Sequence, residues 1–143
     1  MFDLQRVKFA SVLAPISVAG GATATCVEVD TKGFRAGAFY IYSGLVGANG
    51  VTVLKWQQSD TSGSGGVDIA GAGHTALVDA NDGIADGCFM DFRGMKRYIT
   101  LVITNGSTNA SLLSAFALLY RAEESPDTAT ERGLRSEEHT SEL

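Results

Sequence analysis

At 143 residues the chain is one domain long, and a domain of this size hides roughly 70% of the surface its unfolded chain exposes, so a core needs neither metal nor disulfide. A 45% hydrophobic content with seven Phe, four Tyr and one Trp supplies that core, and 17 Gly against two Pro indicate many tight turns rather than a disordered, Pro-rich chain. The net charge of -5 excludes nucleic acid as an expected ligand, because phosphate binding needs clustered Lys and Arg.

No apolar run approaches the roughly 20 residues that span a bilayer, and Met1 to Arg6 carries no cleavable signal pattern, so no membrane partner is expected and synthesis in a cytoplasm is. Val7 to Leu13 predicts a loosely alternating first strand, at an edge, that stops before Pro15, whose nitrogen cannot donate to a sheet ladder. Gly20-Gly21 turns the chain into Ala24 to Asp30, read as a half-buried strand with Val27 and Val29 on one face and Cys26, Glu28 and Asp30 on the other. Ala36 to Ser43 is apolar or aromatic on both faces, which fits a central strand or one whose outer face meets another subunit, and makes Phe39, Tyr40 and Tyr42 candidate interface residues.

Asn49-Gly50 precedes Val51 to Gln58 and predicts a hairpin, since this pair adopts positive φ at low cost. Leu54 and Trp56 then face the core together. Ser59 to Gly66 reads as a polar flexible loop without the Gly-Lys-Ser/Thr ending of a phosphate cradle. Short strands are expected at Val67 to Ile69 and at Ala76 to Val78. Gly87 to Phe92 leads into the basic turn Arg93 to Arg97, and Ile99, Leu101 and Ile103 alternate with Tyr98, Thr100, Val102 and Thr104 in the cleanest strand pattern of the chain. Leu112 to Tyr120 fits a helical stripe as well as a strand. A strand is chosen because the preceding strands leave a sandwich to close, and tertiary context overrides propensity.

Few residues carry chemistry. Cys26 and Cys88 share no metal-ligand spacing with His74 or His139 and read as two separate buried thiols. A Ser-His-Asp arrangement would have to recruit Ser62 or Asp79 to His74, with no nucleophile-elbow text to support it. Asp79 to Asp86 clusters oxygen ligands but departs from the register of a calcium loop, leaving an Asn/Asp-rich turn or a weak cation site. Asn105 and Asn109 start glycosylation triplets and read as turn residues. Arg93, Lys96 and Arg97 form the one dense basic cluster, either a solvated turn or a contact with an acidic neighbour. No catalytic site, cofactor, metal or small-molecule substrate is expected.

The stretches Glu28 to Phe34, Gln58 to Gly65, Asp91 to Tyr98 and Leu113 to Leu119 resemble a group of small tailed-bacteriophage virion-associated proteins, over nearly all of residues 2–134. Small phage proteins of this size and composition in turn resemble capsid cement or decoration proteins, jelly-roll-like sandwiches that bridge coat subunits. The resemblance implies a virion structural protein that partners the phage major capsid protein and copies of itself. A head-tail connector or tail-associated component, and a sugar- or cation-binding β-sandwich using Trp56 and Asp79 to Asp86, are the alternatives. Arg135 to Leu143 resembles the in-frame translation of a sequencing-library adaptor and is read as a non-native tail. The expected organisation is thus an all-β, jelly-roll-like sandwich of about eight strands over residues 1–121, an extended C-terminal arm over 122–134 and the tail over 135–143.

Overall fold

A computed structural model describes residues 6–106, 108–123 and 128–135. The described residues form eight strands: β1 (Lys8–Val18), β2 (Val29–Asp30), β3 (Phe34–Ser43), β4 (Val51–Ser59), β5 (Val67–Gly73), β6 (Ala85–Asp91), β7 (Tyr98–Asn105) and β8 (Ser111–Ala122). They lie in two four-stranded antiparallel sheets ordered β1-β8-β3-β6 and β2-β7-β4-β5. The pairs β1 with β8, β2 with β7, β3 with β6 and β4 with β5 describe one long antiparallel ribbon folded back at the β4–β5 turn. Rolling that ribbon adds the contacts β3 with β8 and β4 with β7 and splits it into two facing sheets, which is the jelly-roll arrangement.

The core lies between the sheets and follows from alternation. Phe39 and Ile41 of β3 and Leu113, Ala115, Ala117 and Leu119 of β8 point inward from one sheet, and Leu54, Trp56, Ile99, Leu101 and Ile103 from the other; all are buried. Phe39 meets Trp56 edge-on with ring centroids 4.9 Å apart, a geometry worth about 0.5–1.5 kcal/mol beyond area burial. The ambiguous segment at Leu112 to Tyr120 is strand β8, the central strand shared by β1 and β3. Two ladders satisfy its backbone and one sheet face takes its apolar residues, which an isolated helical stripe could not match.

Four sequence expectations are corrected. The first strand does not stop at Pro15 but runs to Val18, with Pro15 inside a register shift between Leu13 and Ile16. An edge strand tolerates this because the missing donor falls in an irregularity of the ladder. In place of a full strand over Ala24 to Asp30, only Val29–Asp30 pairs regularly; Val27 is 63% exposed while Val29 is buried. Here the backbone leaves β7, to which Ala24 N–H still donates, and Val27 N–H donates instead to Val12 of β1, so the period breaks between sheets. Asn49 and Gly50 do have positive φ, 69° and 55°, yet they carry the chain from one sheet to the other and β3 does not pair with β4. Leu77 makes only an isolated bridge to Val51, whereas the weak strand at Val67 extends to Gly73.

The expected extended arm is, over residues 128–134, a compact turn in which Thr128 and Glu131 cap each other, Thr128 N–H donating to the Glu131 carboxylate at 3.0 Å and Glu131 N–H to Thr128 Oγ1 at 3.2 Å. It docks on the outer edge of β1 through Phe9 N–H donating to Arg132 O at 2.7 Å, covering part of an otherwise open sheet edge. The proposed tail from 136 onward lies outside the described residues.

Candidate functional site

The side chains of β1, β8, β3 and β6 that do not enter the core form an outer sheet face with no layer over it among the described residues. One ring from each strand builds a continuous stripe across it. Phe9 stacks on Phe116 at 5.3 Å, Phe116 lies 5.3 Å from Tyr40, and Phe89 meets Tyr40 at 6.1 Å and 90°. Register explains the stripe: Tyr40 is directly opposite Phe116 and Phe9 directly opposite Leu118, so same-face side chains pair across neighbouring strands. Mutual contact leaves Phe9, Tyr40 and Phe116 half-buried, while Phe89 stands 71% exposed at the far strand.

Leu112, Ser114, Phe116 and Leu118 of β8 and Ala38, Tyr40 and Tyr42 of β3 occupy this face without a charge among them. At its Leu112 end, Ile16, Tyr42, Leu112 and Ser114 border an open, mainly apolar groove of about 410 Å³. At its other end sits the Asp91–Arg93 ion pair, 2.7 Å. An uncharged, aromatic centre with polar groups at its border is the anatomy of a protein-contact surface.

The sequence-chosen interface residues divide. Tyr40 and Tyr42 belong to this face, but Phe39 is removed from it: it is 0% exposed and packs against Trp56 and Phe92, since neighbours on a strand point to opposite faces. Arg93, Lys96 and Arg97 do not form a free basic patch. Arg93 pairs with Asp91, Lys96 with Asp60 at 3.5 Å and Arg97 with Asp30 at 2.7 Å, and Arg97 also lies over the Tyr98 ring. The Arg97 guanidinium holds the Asp30 carboxyl below the usual carboxylate range, and Asp30 raises Arg97 in turn. Phe9, Phe89 and Phe116 were missed; their only sequence signal is that each alternates with an inward residue, and nothing local says that three separated strands would bring them together.

The other candidates are used internally. Trp56 is fully buried with its indole N–H donating to His74 Nε2, so it offers no ring to a sugar, and His74 has no serine partner among the described residues. Ser62 instead donates to the Glu28 carboxylate, which also accepts from Gly63 N–H at 2.9 Å beside a polar groove of about 350 Å³. In the Asp79 to Asp86 segment, Asn81 accepts from Val78 N–H at 2.7 Å within the turn, and Asp82 accepts from Val46 N–H at 2.7 Å, tying the turn to the loop after β3. Cys26 and Cys88 are free thiols, and burial pushes Cys26 up to about 11 and raises Cys88. Asn105 is buried, with its amide spent on backbone and on Ser111.

No protein-family model matches the chain, and no curated protein matches its sequence.

Proposed function

We propose that the chain is a bacteriophage virion structural protein, a capsid cement protein that stabilises the coat by protein–protein contact. The observation that carries this reading is the aromatic face of the β1-β8-β3-β6 sheet, uncharged at its centre and uncovered among the described residues, which suits a chain that works by protein–protein contact. A sheet with one face on the core normally presents polar residues on the other, and an aromatic outer face is stabilised only when something covers it. The resemblance of Glu28 to Phe34 and Asp91 to Tyr98 to small phage virion proteins supplies the setting, and the rolled ribbon is an architecture also found in viral capsid domains.

The test is co-sedimentation of the purified chain with assembled shells of the coat protein from the same phage, with shell melting measured in parallel. Saturable binding and a raised shell melting temperature support the reading. A chain that remains in the supernatant at every ratio refutes it, and a closed ring seen by light scattering moves the chain to a connector or tail role.

A further inference from the structure

We propose that the outer face of the β1-β8-β3-β6 sheet is closed by a second copy of this chain, in a two-fold dimer that seats Phe89 of each copy in the Ile16–Tyr42–Leu112 groove of the other. The inference rests on the reading of the chain as a protein-contact module and names the occupant of its aromatic face. A chain so paired meets the coat with the surface that the dimer leaves free.

Shape is the first argument. Phe89 is the most exposed large apolar side chain among the described residues, at 71%, and its β3 neighbour across the ladder is only Ala38, so it stands above the sheet as a knob. The groove lies on the same face at the diagonally opposite end, where β8 begins at Leu112. Tyr40 and Phe116 sit between them, in register with one another. A two-fold axis lying in the contact plane near that pair exchanges knob and groove and stacks the central rings on their own copies, which makes the patch self-complementary as an isologous interface requires.

Charge and area agree. A face with no charged side chain at its centre lets two copies meet without burying an unpaired ion. Four strands about 4.8 Å apart and about eight residues long at about 3.4 Å each give roughly 500 Å² per copy. A face-to-face pair then removes roughly 1,000 Å² or more from water, the size at which specific interfaces begin.

Light scattering on the full chain across a concentration range reads the oligomer, and mixing Phe89→Cys with Leu112→Cys chains under mild oxidation reads the geometry. We expect twice the chain mass for the wild type and the single-chain mass for Phe89→Asp with an unchanged melting curve at low concentration. The mixed cysteine chains should give a disulfide-linked pair that neither variant gives alone. A wild-type monomer at all concentrations, a dimer indifferent to both Phe89→Asp and Leu112→Asp, or no mixed disulfide overturns the dimer. Co-sedimentation with coat shells separates the two readings: Phe89→Asp chains that still bind shells fit the dimer, whereas a monomeric wild type whose shell binding is lost in Phe89→Asp makes the face a coat site. Absence of both association and shell binding ends both.

Discussion

The indole N–H of Trp56 donates to Nε2 of His74 at 2.9 Å, so a fully buried aromatic of the core depends on a half-buried imidazole in its neutral form. A protonated ring would present a second N–H there in place of an acceptor. Burial lowers the His74 value from its usual 6.5, with Asp86 opposing. Below 6.5 the unfolded chain therefore binds more protons than the folded one, and stability rises with pH in that window. The contribution is fully present above pH 6.5 and lost as pH falls through the lowered folded value. Urea midpoints taken between pH 7.5 and 5 should fall with acid, and His74→Phe should flatten the profile while costing about 1–3 kcal/mol for the orphaned indole donor.

Asn105 ties three segments together. Its Nδ2 donates to Val18 O at 2.8 Å, Ala19 O at 3.2 Å and Asn109 O at 2.8 Å, and its Oδ1 accepts from Gly106 N–H and Ser111 Oγ. Asn105→Ala leaves these buried groups without partners and should cost about 3 kcal/mol or more. Asn105→Asp should be no milder, because it turns an oxygen toward carbonyl groups. Chemical unfolding of both variants measures this, and a loss below about 1 kcal/mol would remove Asn105 from this role.

Gly50 and Gly71 both have positive φ, 55° and 78°, but their surroundings differ. A Cβ on Gly50 would lie 1.5 Å from Leu77 O, while one on Gly71 meets nothing within 4 Å. Gly71→Ala should therefore cost only the left-handed backbone term of about 1–2 kcal/mol. Gly50→Ala must also displace the 77–78 backbone and should lower the melting temperature by clearly more. Equal losses at the two positions would refute the close approach.

Phe39 and Phe89 lie on opposite faces of one sheet. Phe39→Ala opens a cavity beside Trp56 and should cost about 3–5 kcal/mol. Phe89→Ala, measured in dilute protein where association does not contribute, should stay within about 0.5 kcal/mol. Reversal of that order would invert the assignment of faces.

The raised thiols make a further prediction. With Cys26 at about 11, native protein at pH 8 should react slowly with a thiol reagent, and both cysteines should label at once in urea without prior reduction. Rapid native labelling of Cys26 would contradict the raised thiol of this half-buried side chain.

Sequence by itself determined what depends on near neighbours. The alternation of Ile99, Leu101 and Ile103 and the facing of Leu54 with Trp56 were legible because a strand points successive residues to opposite faces. Positive φ at Asn49 was legible because it is a property of the residue type. Tertiary structure decided everything that required knowing which strand lies beside which. That includes the passage of Asn49-Gly50 between sheets, the irregular ladder that admits Pro15, the distant acids Asp60 and Asp30 that take Lys96 and Arg97, and the union of Phe9, Phe116, Tyr40 and Phe89 into one stripe. The reason is range: residues 9 and 116 become neighbours only after β1 pairs with β8, a pairing of the first and last strands that no local window contains.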